Sequence, residues 1–205
     1  SAASKQVENK NAQSNSAHYL KLIAQHSSAE KAANLETILV TVNLFMQQYA
    51  YHQARQVIDA HHKLIGHDDR LLSLEIDLCI VEQRFEQAVE YLVSARKQKN
   101  ITEARIKDWE TVAFGALFQD KIIRFDQQRL YDYWQKLTKK IKQRETVLLA
   151  YCQVLAANKL FEPLTKLLLP SLKKEASSEF LKQVRLLPID KADTLIVVVQ
   201  KHLQK

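Results

Sequence analysis

The feature that most constrains this chain is that it matches itself. "YAYHQARQVIDA" (Tyr49–Ala60) lines up with "QRFEQAVEYLVS" (Gln83–Ser94), so that Tyr51 falls on Phe85, Gln53 on Gln87, Ala54 on Ala88 and Ile58 on Leu92. Upstream, the same offset pairs Ile38 with Leu72, Val42 with Ile76 and Leu44 with Leu78. Tyr51, Ala54 and Ile58 stand at i, i+3 and i+7, as do Phe85, Ala88 and Leu92, and each set makes one stripe on a helix. A small side chain at Ala54 or Ala88 lets the second helix of a pair approach the first. The aromatic at Tyr51 or Phe85 fills the gap beside the turn. One such hairpin cannot bury its apolar side alone, but a stack of them can.

A period of about 34 residues, carrying two amphipathic helices, is that of tetratricopeptide repeats. Composition agrees with a helical chain. The 205 residues contain two glycines and three prolines, too few for the many turns of a β or α/β fold of this length. The expected fold is all-α: a tetratricopeptide-like α-solenoid of antiparallel helix hairpins, wound as a right-handed superhelix. Residues 1–16 are polar and lack an apolar period, which predicts a disordered linker or lead-in; residues 17–205 form the expected repeat domain. Asp68 and Asp69 are N-cap candidates for one helix, Ser27 with Glu30 is a capping-box pattern for another, and Asp190 can cap the last. Two later repeats are expected to be degenerate, anchored on Phe125 and Leu160, with Pro163 in the place of Ala88.

Chemistry-bearing patterns are sparse. Cys79 and Cys152 have no CxxC spacing and no nearby histidine partner, and read as small core residues of a reduced compartment. His52, His61, His62 and His67 gather around one predicted helix, and His61 and His62 are the candidates for haem ligation. Neighbours on a helix point about 100° apart, however, and cannot face one metal. The stretch "YDYWQKLTKKIKQR" sets Trp134 beside Lys136, Lys139, Lys140, Lys142 and Arg144. The simpler reading buries Leu130, Tyr133, Trp134, Leu137 and Ile141 and leaves the lysines as the solvated face and the turn to the next helix. The sharper one makes the cations a patch for phosphate or anionic lipid. The formal net charge of +7 favours an anionic partner or a membrane surface; no nucleic acid partner is expected. With Gly66 and Gly115 alone, no loop can cradle a phosphate. Catalysis is not expected, and no catalytic, cofactor or metal residue is assigned. Trp109 reads as core, while Lys107 with Glu110, or Glu75 with Asp77, are candidate partner contacts.

The order of these features resembles the tetratricopeptide HemY family of proteobacterial inner-membrane proteins. "RLYDYWQKLTKKIKQRETVLLAYCQVLAANKLFEPLTKLLLPSLKK" is similar to that family's Trp-containing helix, basic stretch and hairpin. "SSEFLKQVRLLPIDKADTLIVVVQKHLQK" looks like the segment that follows it, and the two matched hairpins look like the repeats upstream. The resemblance covers about residues 35–205. It implies two membrane helices upstream of Ser1 and further repeats downstream of Lys205. It places this segment on the cytoplasmic side of a bacterial inner membrane and brings no catalytic residues.

The resulting expectation is a non-catalytic scaffold for protein–protein interactions in late protohaem biosynthesis, with the terminal haem-synthesis enzymes as its partners. Two alternatives stay open at this point. One is a porphyrin- or haem-binding carrier domain that uses the histidines. The other is a generic membrane-tethered repeat adaptor in envelope assembly.

Overall fold

A computed structural model describes residues 31–64, 68–125, 127–172 and 176–189. Every regular element among them is helical. In chain order they are α1 (Lys31–Gln47), α2 (Tyr51–Ala60), a 3₁₀ turn (His62–Leu64), α3 (Asp69–Val81), α4 (Phe85–Ala95), α5 (Glu103–Phe125), α6 (Gln127–Lys136), α7 (Lys139–Lys142), α8 (Glu145–Ala157), α9 (Phe161–Leu172) and α10 (Ser178–Arg185). No helix among the described residues is long and apolar enough to cross a membrane. The polar lead-in, the Ser27/Glu30 pattern, His67 and the helix expected after Asp190 lie outside the described residues.

The chain divides into two compact units, Ser1–Glu103 and Ala104–Lys205. In the first, α1 packs on α2 and α3 on α4, and α3 also meets both α1 and α2. In the second, α8 packs on α9 and touches α7 and α10. An aromatic cluster ties α5 and α6 to α8. The Trp134 ring stacks on Tyr151 at 4.2 Å and 9°, and Phe118 meets Tyr133, Trp134 and Tyr151 edge-on with centroids 5.2–6.0 Å apart. Such pairs each add roughly 0.5–1.5 kcal/mol beyond simple burial.

Three hairpins turn in the same way. Ala50, Arg84 and Leu160 donate their N–H groups to the carbonyls of Phe45, Cys79 and Leu155, at 2.8, 2.7 and 2.9 Å. The residues just before them, Tyr49, Gln83 and Lys159, adopt φ of 57°, 60° and 57°. This is the Schellman ending of a helix, which satisfies its last carbonyls and usually employs glycine. Here it is built with side chains, each accepting a left-handed backbone that costs an L-residue roughly 1 kcal/mol. The following helices, α2 and α4, begin at once and have no side-chain cap. Where the chain crosses from one hairpin to the next, α3 has a cap. Asp68 accepts from the N–H groups of Arg70 and Leu71 at 2.9 and 3.1 Å. Burial opposes ionisation of Asp68, but the Arg70 side chain and these two N–H groups outweigh it and hold the carboxyl below its ordinary pKa.

The buried positions recur with the hairpins. On the second helices they are Ala54, Ala88, Leu130 and Leu164, then Ile58, Leu92, Trp134 and Leu168. On the first helices they are Ile38, Leu72, Phe114 and Leu148, then Val42, Ile76, Phe118 and Cys152. The step from Ala54 to Ala88 equals that from Leu130 to Leu164, and the step between Ala88 and Leu130 is longer. The long step arises because α5 has 23 residues where α3 and α8 have 13 each. It also corrects the expected register of the later repeats. Phe125 ends α5 rather than opening a second helix, Phe161 rather than Leu160 opens α9, and Leu164 rather than Pro163 takes the place of Ala54 and Ala88. Pro163 is the third residue of α9, where the N–H it lacks would have no partner within the helix.

Candidate functional site

The expected repeat residues differ in burial. Ala54, Ile58, Ala88 and Leu92 are fully buried, while Tyr51 and Phe85 are half-buried at the turns. Tyr51 meets Tyr49 edge-on, with centroids 6.2 Å apart. Cys79 and Cys152 are buried free thiols. Burial pushes both upward, Cys79 to about 12 with help from Glu75, so neither is a nucleophile at neutral pH. Trp109 is buried beneath the Arg105 guanidinium, 5.0 Å from the ring centroid.

Glu75 and Glu110 are not surface contacts. They are 1% and 0% exposed, and each belongs to an interior ion pair. In the first unit, Arg55 reaches from α2 between two acids of the α3 region. Its Nη1 donates to both carboxylate oxygens of Glu75 at 2.8 Å, and its Nε and Nη2 donate to Glu82 Oε2 at 3.0 and 2.7 Å. The Cys79 thiol donates to Glu75 at 3.3 Å. Burial alone would make Arg55 easier to deprotonate, but the bonds to Glu82 and Glu75 outweigh it and raise its pKa. In the second unit, Glu110 of α5 takes an ion pair from Arg144 and a hydrogen bond from the Thr146 hydroxyl.

Nothing in the spacing of Arg55, Glu75 and Glu82 announces this network, because Arg55 is far from both acids along the chain. The sequence does carry one signal: Glu75 stands in the apolar stripe of Leu72, Ile76 and Cys79, and Glu110 in that of Ile106, Ala113 and Phe114. A charge on a buried stripe requires a partner.

The basic stretch separates into parts with different roles. Arg144 pairs with the buried Glu110 carboxylate, which sets it apart from the other cations of the expected anionic-surface patch. The Lys142 ammonium donates to the Gln135 carbonyl at 3.0 Å and lies 5.9 Å from the Trp134 ring centroid. Lys136, Lys139 and Lys140 are exposed. Of the expected stripe, Leu130 and Trp134 are buried, and Tyr133, Leu137 and Ile141 are half-buried. The candidate contacts Lys107 and Asp77 are exposed and half-buried respectively.

The histidines occupy unlike places. His52 is exposed, with Nε2 3.2 Å from the Gln56 amide nitrogen. His61 is half-buried at the end of α2, and burial lowers its pKa. His62 is exposed and donates from Nδ1 to the Asp59 carbonyl at 3.2 Å. Among the described residues no group of three His, Cys, Asp or Glu side chains could hold a metal. Comparisons of the chain with family models, with curated proteins and with solved structures return no match.

Proposed function

We propose that this chain is a non-catalytic scaffold of tetratricopeptide-like hairpins, arranged as an α-solenoid, that binds other proteins on the faces its stacked helices leave to solvent. The observation that carries the reading is one turn, with one hydrogen-bond pattern and one left-handed residue, repeated at Tyr49, Gln83 and Lys159. The recurring buried positions support it, because each hairpin uses its apolar stripe for packing. The interior carboxylates support the non-catalytic part: Glu75 and Glu110 are engaged by Arg55 and Arg144 rather than presented to a substrate.

The proposed partners are the terminal haem-synthesis enzymes, at the cytoplasmic face of a bacterial inner membrane. This placement rests on the resemblance of residues 35–205 to the HemY family. Crosslinking in native membranes followed by affinity purification of the chain tests it. The expected result is recovery of terminal haem-synthesis enzymes. Recovery of envelope-assembly proteins with no haem-synthesis enzyme would overturn the placement and leave the adaptor reading in its stead.

A further inference from the structure

Between Lys136 and Gln143 every charged residue is a lysine, and the backbone that carries them is tied down. The Thr138 carbonyl accepts from the N–H groups of Ile141 and Lys142, at 3.0 Å each, and the Lys139 carbonyl accepts from that of Gln143 at 3.1 Å. Leu137 and Ile141 are half-buried beneath the turn, and the Lys142 ammonium folds back onto the Gln135 carbonyl at 3.0 Å. Lys136, Lys139 and Lys140 are exposed, and among the described residues none of the three makes an ion pair. The acids that flank the stretch are engaged elsewhere. Asp132 accepts from the Gln128 amide at 2.8 Å, and Glu145 accepts from the N–H and hydroxyl of Ser177 at 2.7 and 2.5 Å.

We propose that this lysine turn, Lys136, Lys139 and Lys140, docks the chain on an anionic lipid surface. Lysine ammoniums are point charges suited to a diffuse negative field, whereas recognition of one shaped phosphate favours the planar fork of arginine. The arginine of the stretch, Arg144, is already paired with Glu110. Its tryptophan, Trp134, is 5% exposed and stacked on Tyr151. That ring is therefore not available to stack on a base, the contact that binders of single-stranded nucleic acid use. The choice of lipid rests on the proposed placement at a bacterial inner membrane. Docking is read from vesicles alone, so it and the recovery of partner enzymes can fail separately.

The test sediments the full chain with phosphatidylcholine vesicles that contain or lack phosphatidylglycerol. Binding is expected with phosphatidylglycerol only, and it should fall as salt approaches about 1 M, where charges are screened within about 3 Å. Lys136→Gln/Lys139→Gln/Lys140→Gln is expected to lower the partition coefficient roughly a hundredfold, at about fivefold per lysine. Lys63→Gln/Lys97→Gln/Lys99→Gln removes the same charge from exposed positions of the first unit. It is expected to stay within about fivefold of the parent. No binding to the anionic vesicles, equal binding to the neutral ones, or equal losses in the two triple variants overturns the proposal. Binding of single-stranded RNA in place of the vesicles, lost in the first variant, also overturns it and reassigns the turn to nucleic acid.

Discussion

Arg55 is the residue on which the first unit depends most sharply. Its guanidinium is the counter-charge to a carboxylate that is 1% exposed, and removing one member of a buried pair strands the other. Arg55→Met should therefore lower the stability of the unit by about 3–5 kcal/mol, read from urea midpoints. The double variant Arg55→Met/Glu75→Leu should recover most of that loss, because an apolar pair of similar volume does not strand a charge. Glu82 would keep Arg84, which already lies 3.4 Å away, and the solvent. A double variant as unstable as the single one would show that the packing of the arginine stem, and not charge compensation, is what the site supplies.

The hairpin turn repeats at the next scale. At Gln83 the backbone is left-handed with φ of 60°, a conformation natural to glycine and unfavourable to a β-branched side chain. Gln83→Gly should raise the unfolding free energy by about 0.5 kcal/mol, the relief of strain being partly offset by the entropy of the unfolded glycine. Gln83→Val should lower it by at least about 1 kcal/mol. If both variants melt like the parent, the turn is not under the constraint described. These turns mark how far the sequence can be read. The helices of the first unit are legible because Ala54/Ala88 and Ile58/Leu92 keep one strict offset. The third hairpin is read one residue out of place, because the extra length of α5 interrupts the period and leaves Leu160 and Phe161 as competing apolar anchors. Only the turn, with Lys159 left-handed, decides for Phe161. The Arg55 network is hidden for another reason: its members are far apart in sequence, and only Glu75, a charge in an apolar stripe, hints at it.

At the largest scale, the two hairpins of the first unit are packed on one another through α3. Each hairpin buries only a few large side chains, each contributing roughly 1.5–3 kcal/mol, against a backbone ordering cost of about 1–2 kcal/mol per residue. Isolated helices of 10 to 17 residues, such as α2 and α1, are marginal in water. In the first unit α3 covers both α1 and α2, and the Arg55–Glu75 pair crosses that junction. The most direct measurement compares circular dichroism and urea unfolding of a fragment spanning residues 31–64 with one spanning 31–103. Mutual support between hairpins predicts a single hairpin that is largely unstructured, and a two-hairpin fragment that is helical and unfolds cooperatively. A single hairpin that is fully helical and unfolds as sharply as the pair would contradict it.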